Sequence, residues 1–282
     1  MSIAPAETRP LRRPSPEAVA VTALGVLVVG AWAALVVEAL RLGGGPDAFV
    51  QALCRPVGAA AEGPGDLLRA VAVTSALWLT MSVAMMLPTA VPMVLGFVDL
   101  LARRGAAGGR AAAAPLWLVT GYLGVWAGVS VAAALVQEGA GRAAALLAVP
   151  EPAGVILAGL LVGAAGLYQF SDWKMACLGA CRHPLPDLEE GFALDALAVL
   201  RLGVGQGVRC LGCCGPMMAI MLVAGAMNLA WMGLFALMMT LEKMTEGPLV
   251  PRIVGVLLVA GGLALGISAV GIGPVVAFLL RG

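Results

Sequence analysis

Long uninterrupted apolar runs set the strongest limit on what this chain can fold into. The first, AVAVTALGVLVVGAWAALVVEAL at residues 18–40, carries a single charge, near its end. About 20 such residues in a helix match the hydrocarbon thickness of a bilayer. Further runs follow at about 70–98, 115–136, 153–170, 216–240 and 252–279. The 282 residues are 61% hydrophobic and only 12% charged, where a soluble domain averages about 25% charged residues. So little charge cannot cover a water-facing surface. No alternating segments of about ten residues point to a β-barrel. The expected class is an all-α, polytopic transmembrane bundle forming one integral membrane domain over 1–282, with six spans and seven as the alternative. The lipid bilayer is its first partner.

Pro88 and Pro92 fall inside the second run. Proline removes a backbone donor and crowds the preceding turn, so the second span is expected to kink there. The region 206–242 is long for one span and short for two, and Gly215-Pro216 is the natural place to divide it. That places one span at about 216–240 with the nearby cysteines at its mouth. Residues 171–209 are expected to form a loop, with a short amphipathic helix at most.

Arginines at positions 9, 12 and 13, and again at 103, 104 and 110, outweigh the single Arg142 between the third and fourth runs. By the positive-inside rule both termini, the tail 1–17 and the 171–209 loop are expected in the cytoplasm, for a chain in a bacterial inner membrane. The first apolar run is too long for a signal-peptide core and is expected to be an anchor helix rather than a cleaved leader. A net charge of +1 argues against a nucleic-acid partner.

Sulfur is concentrated in two places. Of six cysteines, five sit in Cys177, Cys181, Cys210, Cys213 and Cys214, and Cys54 stands apart. The only histidine, His183, follows Cys181 by two residues. In a reducing compartment such spacings suit thiolate metal sites better than structural disulfides. Thiolates and thioethers favour copper(I), with zinc as the alternative. Twelve of the 14 methionines fall in 81–93 and 217–244. Met217, Met221, Asn228, Met232 and Met239 share one broad helical face, and Met81 and Met85 are one turn apart. The candidate metal ligands are therefore Cys177, Cys181, His183, Cys210, Cys213, Cys214, Met217 and Met221. Met81, Met85, Met86, Asn228 and Met232 are candidates for an intramembrane route. Methionine also fills irregular cores and buried cysteine is often inert, so packing is the competing account of the same residues. Glu242-Lys243 and Asp99 are expected to be interfacial anchors, with Lys243 snorkelling.

One histidine cannot build a bis-histidine haem site or a two-histidine iron site. No phosphate-binding loop or zinc-protease motif is present, and no catalytic set can be nominated.

Four stretches, WLTMSVAMMLPTAVPM (78–93), YQFSDWKMACLGACRHPL (168–185), GVRCLGCCGPMMAIMLVAGAMNLAWM (207–232) and LEKM (241–244), resemble the bacterial predicted metal-binding integral membrane proteins, a family catalogued as a domain of unknown function. The chain departs from that pattern at Gly215-Pro216, where the family often has a bulky residue. The resemblance implies a six- or seven-span protein proposed to bind metal, and no settled reaction. The leading expectation is a protein that binds, and moves or delivers, a soft metal ion, with a metal-donor or metal-acceptor protein as partner and a homo-oligomer as one form it can take. The alternatives are a membrane thiol–disulfide redox protein, using Cys177/Cys181 and Cys210/Cys213, and a non-catalytic scaffold.

Overall fold

The computed structural model describes residues 16–42, 64–106, 108–147, 151–183, 195–224 and 229–269. Asn228, Cys54, the tail 1–15 and the stretch 270–282 lie outside these. Among the described residues the chain is all α and contains no strand. In chain order the helices are α1 (Pro16–Leu42), α2 (Pro64–Arg103), α3 (Gly109–Leu146), α4 (Glu151–Tyr168), α5 (Asp172–Arg182), α6 (Ala196–Ala224), α7 (Leu229–Met244) and α8 (Leu249–Ala269).

Five stretches are long and apolar enough to cross a membrane: Glu17–Glu38, Leu67–Arg103, Gly109–Ala143, Ala196–Leu222 and Leu249–Ala269. The α4–α5 pair, bent by 65° at its break, adds a sixth if it is one broken span. Ser171 makes the bend: its backbone is extended, and its hydroxyl accepts from Lys174 N at 3.2 Å to start α5.

Two expectations need correcting. The chain is not divided at Gly215-Pro216, because α6 runs helical from Ala196 to Ala224 straight through Pro216. The next helix begins only at Leu229. The cysteines therefore lie within a helix, not at its mouth. Within 171–209, where the sequence predicts a loop, the described residues 172–182 form α5 and 196–209 the first half of α6. α2 likewise stays helical past Pro88 and Pro92.

Proline leaves the carbonyl four residues before it without its helical donor, and neighbouring helices can supply one. The carbonyl four residues before Pro88 belongs to Ala84, and Trp32 Nε1 of α1 donates to it at 3.2 Å. The one four residues before Pro216 belongs to Gly212, and Tyr168 of α4 donates its hydroxyl to it at 2.7 Å. Both helices can thus continue because another helix takes the freed group.

α2 packs on α1 and α3, α3 on α6, α6 on α4 and α5, α4 on α8, and α7 touches α2, α5, α6 and α8. The α3–α6 crossing is closest at Gly121 and Gly203. A Cβ on Gly203 would collide with Leu118 O, and one on Gly121 with Leu200 O. Only glycine lets the backbones approach this far. The contact brings Tyr122 of α3 against the α6 turn that carries Cys210. A single buried core then gathers Trp78, Met81, Met85, Met86, Phe97, Trp126, Cys210, Cys213, Cys214, Met217, Met221, Met232 and Met239.

Replacing Gly203 by valine is expected to force α3 and α6 apart and to destabilise the protein by about 1–3 kcal/mol, the usual range for overpacking. Thermal unfolding in detergent, followed by size-exclusion chromatography, measures the loss.

Candidate metal centre

Cys210, Cys213 and Cys214 stand at positions i, i+3 and i+4 of α6, so they share one face. Each is 1% exposed, and their sulfurs all lie within 4.8 Å of one another. The Cys213 and Cys214 sulfurs are 3.3 Å apart. Among the described residues these three form the one group of cysteine, histidine or acidic side chains close enough to hold a metal ion. The five clustered cysteines are free thiols.

The second cysteine group reaches this face through α5. Lys174, Cys177, Leu178 and Cys181 lie along one side of α5, which packs on α6. Cys181 Sγ is 3.7 Å from Cys213 Sγ. Cys177 is seated against Gly212, where an added Cβ would lie 2.5 Å from its sulfur. The two cysteine groups therefore meet in space, through Cys181 and Cys213. His183, the C-cap of α5, is exposed and is not among the three-thiol group.

Met217 and Met221 continue the cysteine face along α6 and are fully buried. Met81, Met85 and Met86 of α2 and Met232 and Met239 of α7 are fully buried in the same core. The sequence places Met217, Met221, Asn228, Met232 and Met239 on one helical face; instead Met217 and Met221 belong to α6 and Met232 and Met239 to α7, while Asn228 lies outside the described residues.

The charged residues of α7 do not behave as anchors. Glu242 is buried, and Lys243 is half-buried with its ammonium directed inward. Lys243 Nζ donates to Cys210 Sγ at 3.2 Å and to Thr89 Oγ1 at 2.7 Å. Thr89 passes its own hydroxyl hydrogen to Met86 O at 2.7 Å. The Tyr122 hydroxyl lies 3.1 Å from Cys210 Sγ and donates to Met86 O at 3.1 Å. One thiol of the three is thus held between an ammonium and a phenol. By contrast, Asp99 remains at the surface, paired with Arg103 at 2.8 Å, as an interfacial residue would be.

A second cation supports the same turn from the α5 side. Lys174 is fully buried, and its Nζ donates to Cys213 O at 2.7 Å and to Glu242 Oε2 at 2.6 Å. Arg182 donates to Glu242 O at 2.6 and 3.1 Å and to Gly247 O at 3.3 Å. These bonds fasten both ends of α5 to α6 and α7. Lys174 and Tyr122 escape the sequence reading, and Lys243 reads there as an anchor, because each acts across helices. A signal did exist for Glu242: Met232, Phe235, Met239 and Glu242 recur at steps of three and four, the period of one buried face.

Several close thiols, an apolar surround and a nearby ammonium suit a soft cation. The protein is therefore of the metal-binding class, built from helices compatible with a membrane. A family model described as PpoB2, a copper chaperone, matches residues 75–265. The match covers most of the chain, from α2 into α8, and includes all five clustered cysteines, so the chain belongs to this copper chaperone family. No curated protein and no solved structure matches it.

Replacing Lys174 by methionine leaves the Glu242 carboxylate buried without its cation. Breaking a buried pair in this way costs about 3–5 kcal/mol. The double variant Lys174→Met/Glu242→Gln is expected to recover most of that loss. Unfolding midpoints of the two variants and the wild type in detergent check both statements.

Proposed function

We propose that this protein takes copper(I) into the thiol site of Cys210, Cys213 and Cys214 within a bacterial inner membrane and delivers it to an acceptor protein. The observation that carries this reading is the three-thiol cluster in an apolar core, with the Lys243 ammonium bonded to one of its sulfurs. Thiolates select copper(I) among soft ions. Charge balance favours a monovalent cargo. One copper(I) with two thiolates and one thiol carries a net charge of −1, and the Lys243 ammonium offsets it. Lys174 and Glu242 already neutralise each other, so they add no net charge. A buried group of zero net charge avoids the large penalty of an isolated ion in a low-dielectric interior.

Zinc is the alternative occupant. It prefers four ligands in a tetrahedron, which would enlist Cys181 and leave a larger negative charge to offset. Cys177, Cys181 and His183 lie on the approach to the site. Met217 and Met221 extend it along α6, and Met81, Met85, Met86 and Met232 would line a route of thioethers within the membrane. Asn228 belongs to the same proposed route. The 3.7 Å separation of Cys181 and Cys213 favours a second reading, a thiol–disulfide protein whose redox pair joins α5 to α6 rather than lying within either motif.

The test is elemental analysis of the purified full chain, expressed with copper and zinc present, beside Cys213→Ser/Cys214→Ser. Stoichiometric copper is expected in the wild type and a sharp loss in the double variant. Equal metal in both would remove the thiol cluster from the proposal. Zinc in place of copper would change the cargo. No metal, with a reversible Cys181–Cys213 disulfide, would favour the redox reading.

A further inference from the structure

Each of the three cluster cysteines is only 1% exposed. A cargo ion needs a ligand that can meet it outside and still reach the cluster. Burial falls in steps from α6 to the end of α5. Cys213 is buried, Cys181 is half-buried, and His183, two residues further on, is exposed. From α5, Cys181 Sγ reaches within 3.7 Å of Cys213 Sγ. Two metal–thiolate bonds of about 2.3 Å, the zinc value, span up to about 4.6 Å. One ion can therefore touch both sulfurs before leaving either, with no movement of α5 or α6.

A second exposed soft ligand stands at this end of the molecule. Arg182 ties the C-terminus of α5 to Glu242 O and Gly247 O. Met244 lies between those two residues in sequence and is 75% exposed. His183 follows Arg182 directly. Arg182, the residue before the exposed His183, is thus tied to a backbone carbonyl two residues before the exposed Met244.

We propose that Cys181 is the transfer ligand of this protein, passing copper(I) between a carrier docked at His183 and Met244 and the buried cluster. The inference rests on the copper reading above and assigns Cys181 a kinetic role, distinct from that of the three cluster cysteines. The step is a ligand exchange without change of oxidation state. A carrier thiolate gives up its copper–sulfur bond as Cys181 forms one, and the Cys181 proton passes to the carrier sulfur. Cys213 then bonds the copper, Cys181 releases it, and the Cys213 proton moves to Cys181. Electrons and protons balance at each stage, and no further reagent is required.

The experiment follows loading of the purified full chain in detergent from copper(I) held by bicinchoninate, whose colour fades as it gives up the metal. Cys181→Ser is expected to reach wild-type copper content with an initial rate at least ten-fold lower. Cys181→Met, which restores a soft ligand, should regain part of that rate. His183→Ala/Met244→Leu changes two surface residues, so its folding is not at risk, and should also slow loading without lowering the final content. Wild-type rates in both Cys181→Ser and the surface variant would overturn the relay. A reduced final content in Cys181→Ser, with the surface variant loading at the wild-type rate, would overturn it as well and make Cys181 a resident ligand. A wild type that takes no copper would instead overturn the copper reading itself, an outcome separable from the others.

Discussion

The thiol site depends on how the backbone of α6 is satisfied just before Pro216. Proline deprives Gly212 O of its helical donor, and Tyr168 supplies a hydroxyl at 2.7 Å. One residue along, Lys174 caps Cys213 O at 2.7 Å. With these carbonyls bonded, α6 stays helical through its cysteines. The helical spacing then places Cys210, Cys213 and Cys214 on one face, close enough for a single ion. An unmet carbonyl in an apolar interior costs about 1–3 kcal/mol, so the Tyr168 hydroxyl bears directly on the stability of the cysteine-bearing turn.

The same donors join the surrounding helices into one unit. Lys174 belongs to α5 but bonds to α6 and α7, and Arg182 adds a second clamp to α7. Lys243 of α7 reaches Cys210 and Thr89, linking α6 and α2. Tyr122 enters from α3 because Gly121 and Gly203 allow close backbone contact. The buried cations are each in contact with an anion, a carbonyl or a thiol, as expected where an unpaired charge would be expensive. Membership of a copper chaperone family fits this arrangement, since such a protein must hold its ion and also let it leave.

Much of this was legible in the residues. Runs of apolar side chains marked the helices, and the methionine spacing identified faces that prove to be buried. The cysteine spacing nominated five thiols and His183 together, and only the structure separates Cys210, Cys213 and Cys214 as the three that converge. The sequence misled where a local rule was overridden by a partner elsewhere. Gly215-Pro216 looked like a break because proline ends a helix unless a distant donor intervenes. Glu242-Lys243 looked like an anchor because charges at the end of an apolar run are normally solvated. The stretch 171–209 looked like a loop because charges, glycines and prolines interrupt its apolar residues, although Lys174 and Arg182 are charged residues that bind inward.

By itself, the sequence determined the helical class, the membrane-length segments and the sulfur content of the core faces. These follow from hydropathy and from periodicities within a few turns of one helix. Only the tertiary structure decided that Cys181 meets Cys213, that Tyr168 meets the carbonyl freed by Pro216, that Lys174 reaches Cys213 O, and that Lys243 faces Cys210. Those contacts join residues 32 to 44 positions apart. Local pattern cannot encode them: which side chain meets a freed carbonyl or a buried thiol depends on how the helices pack.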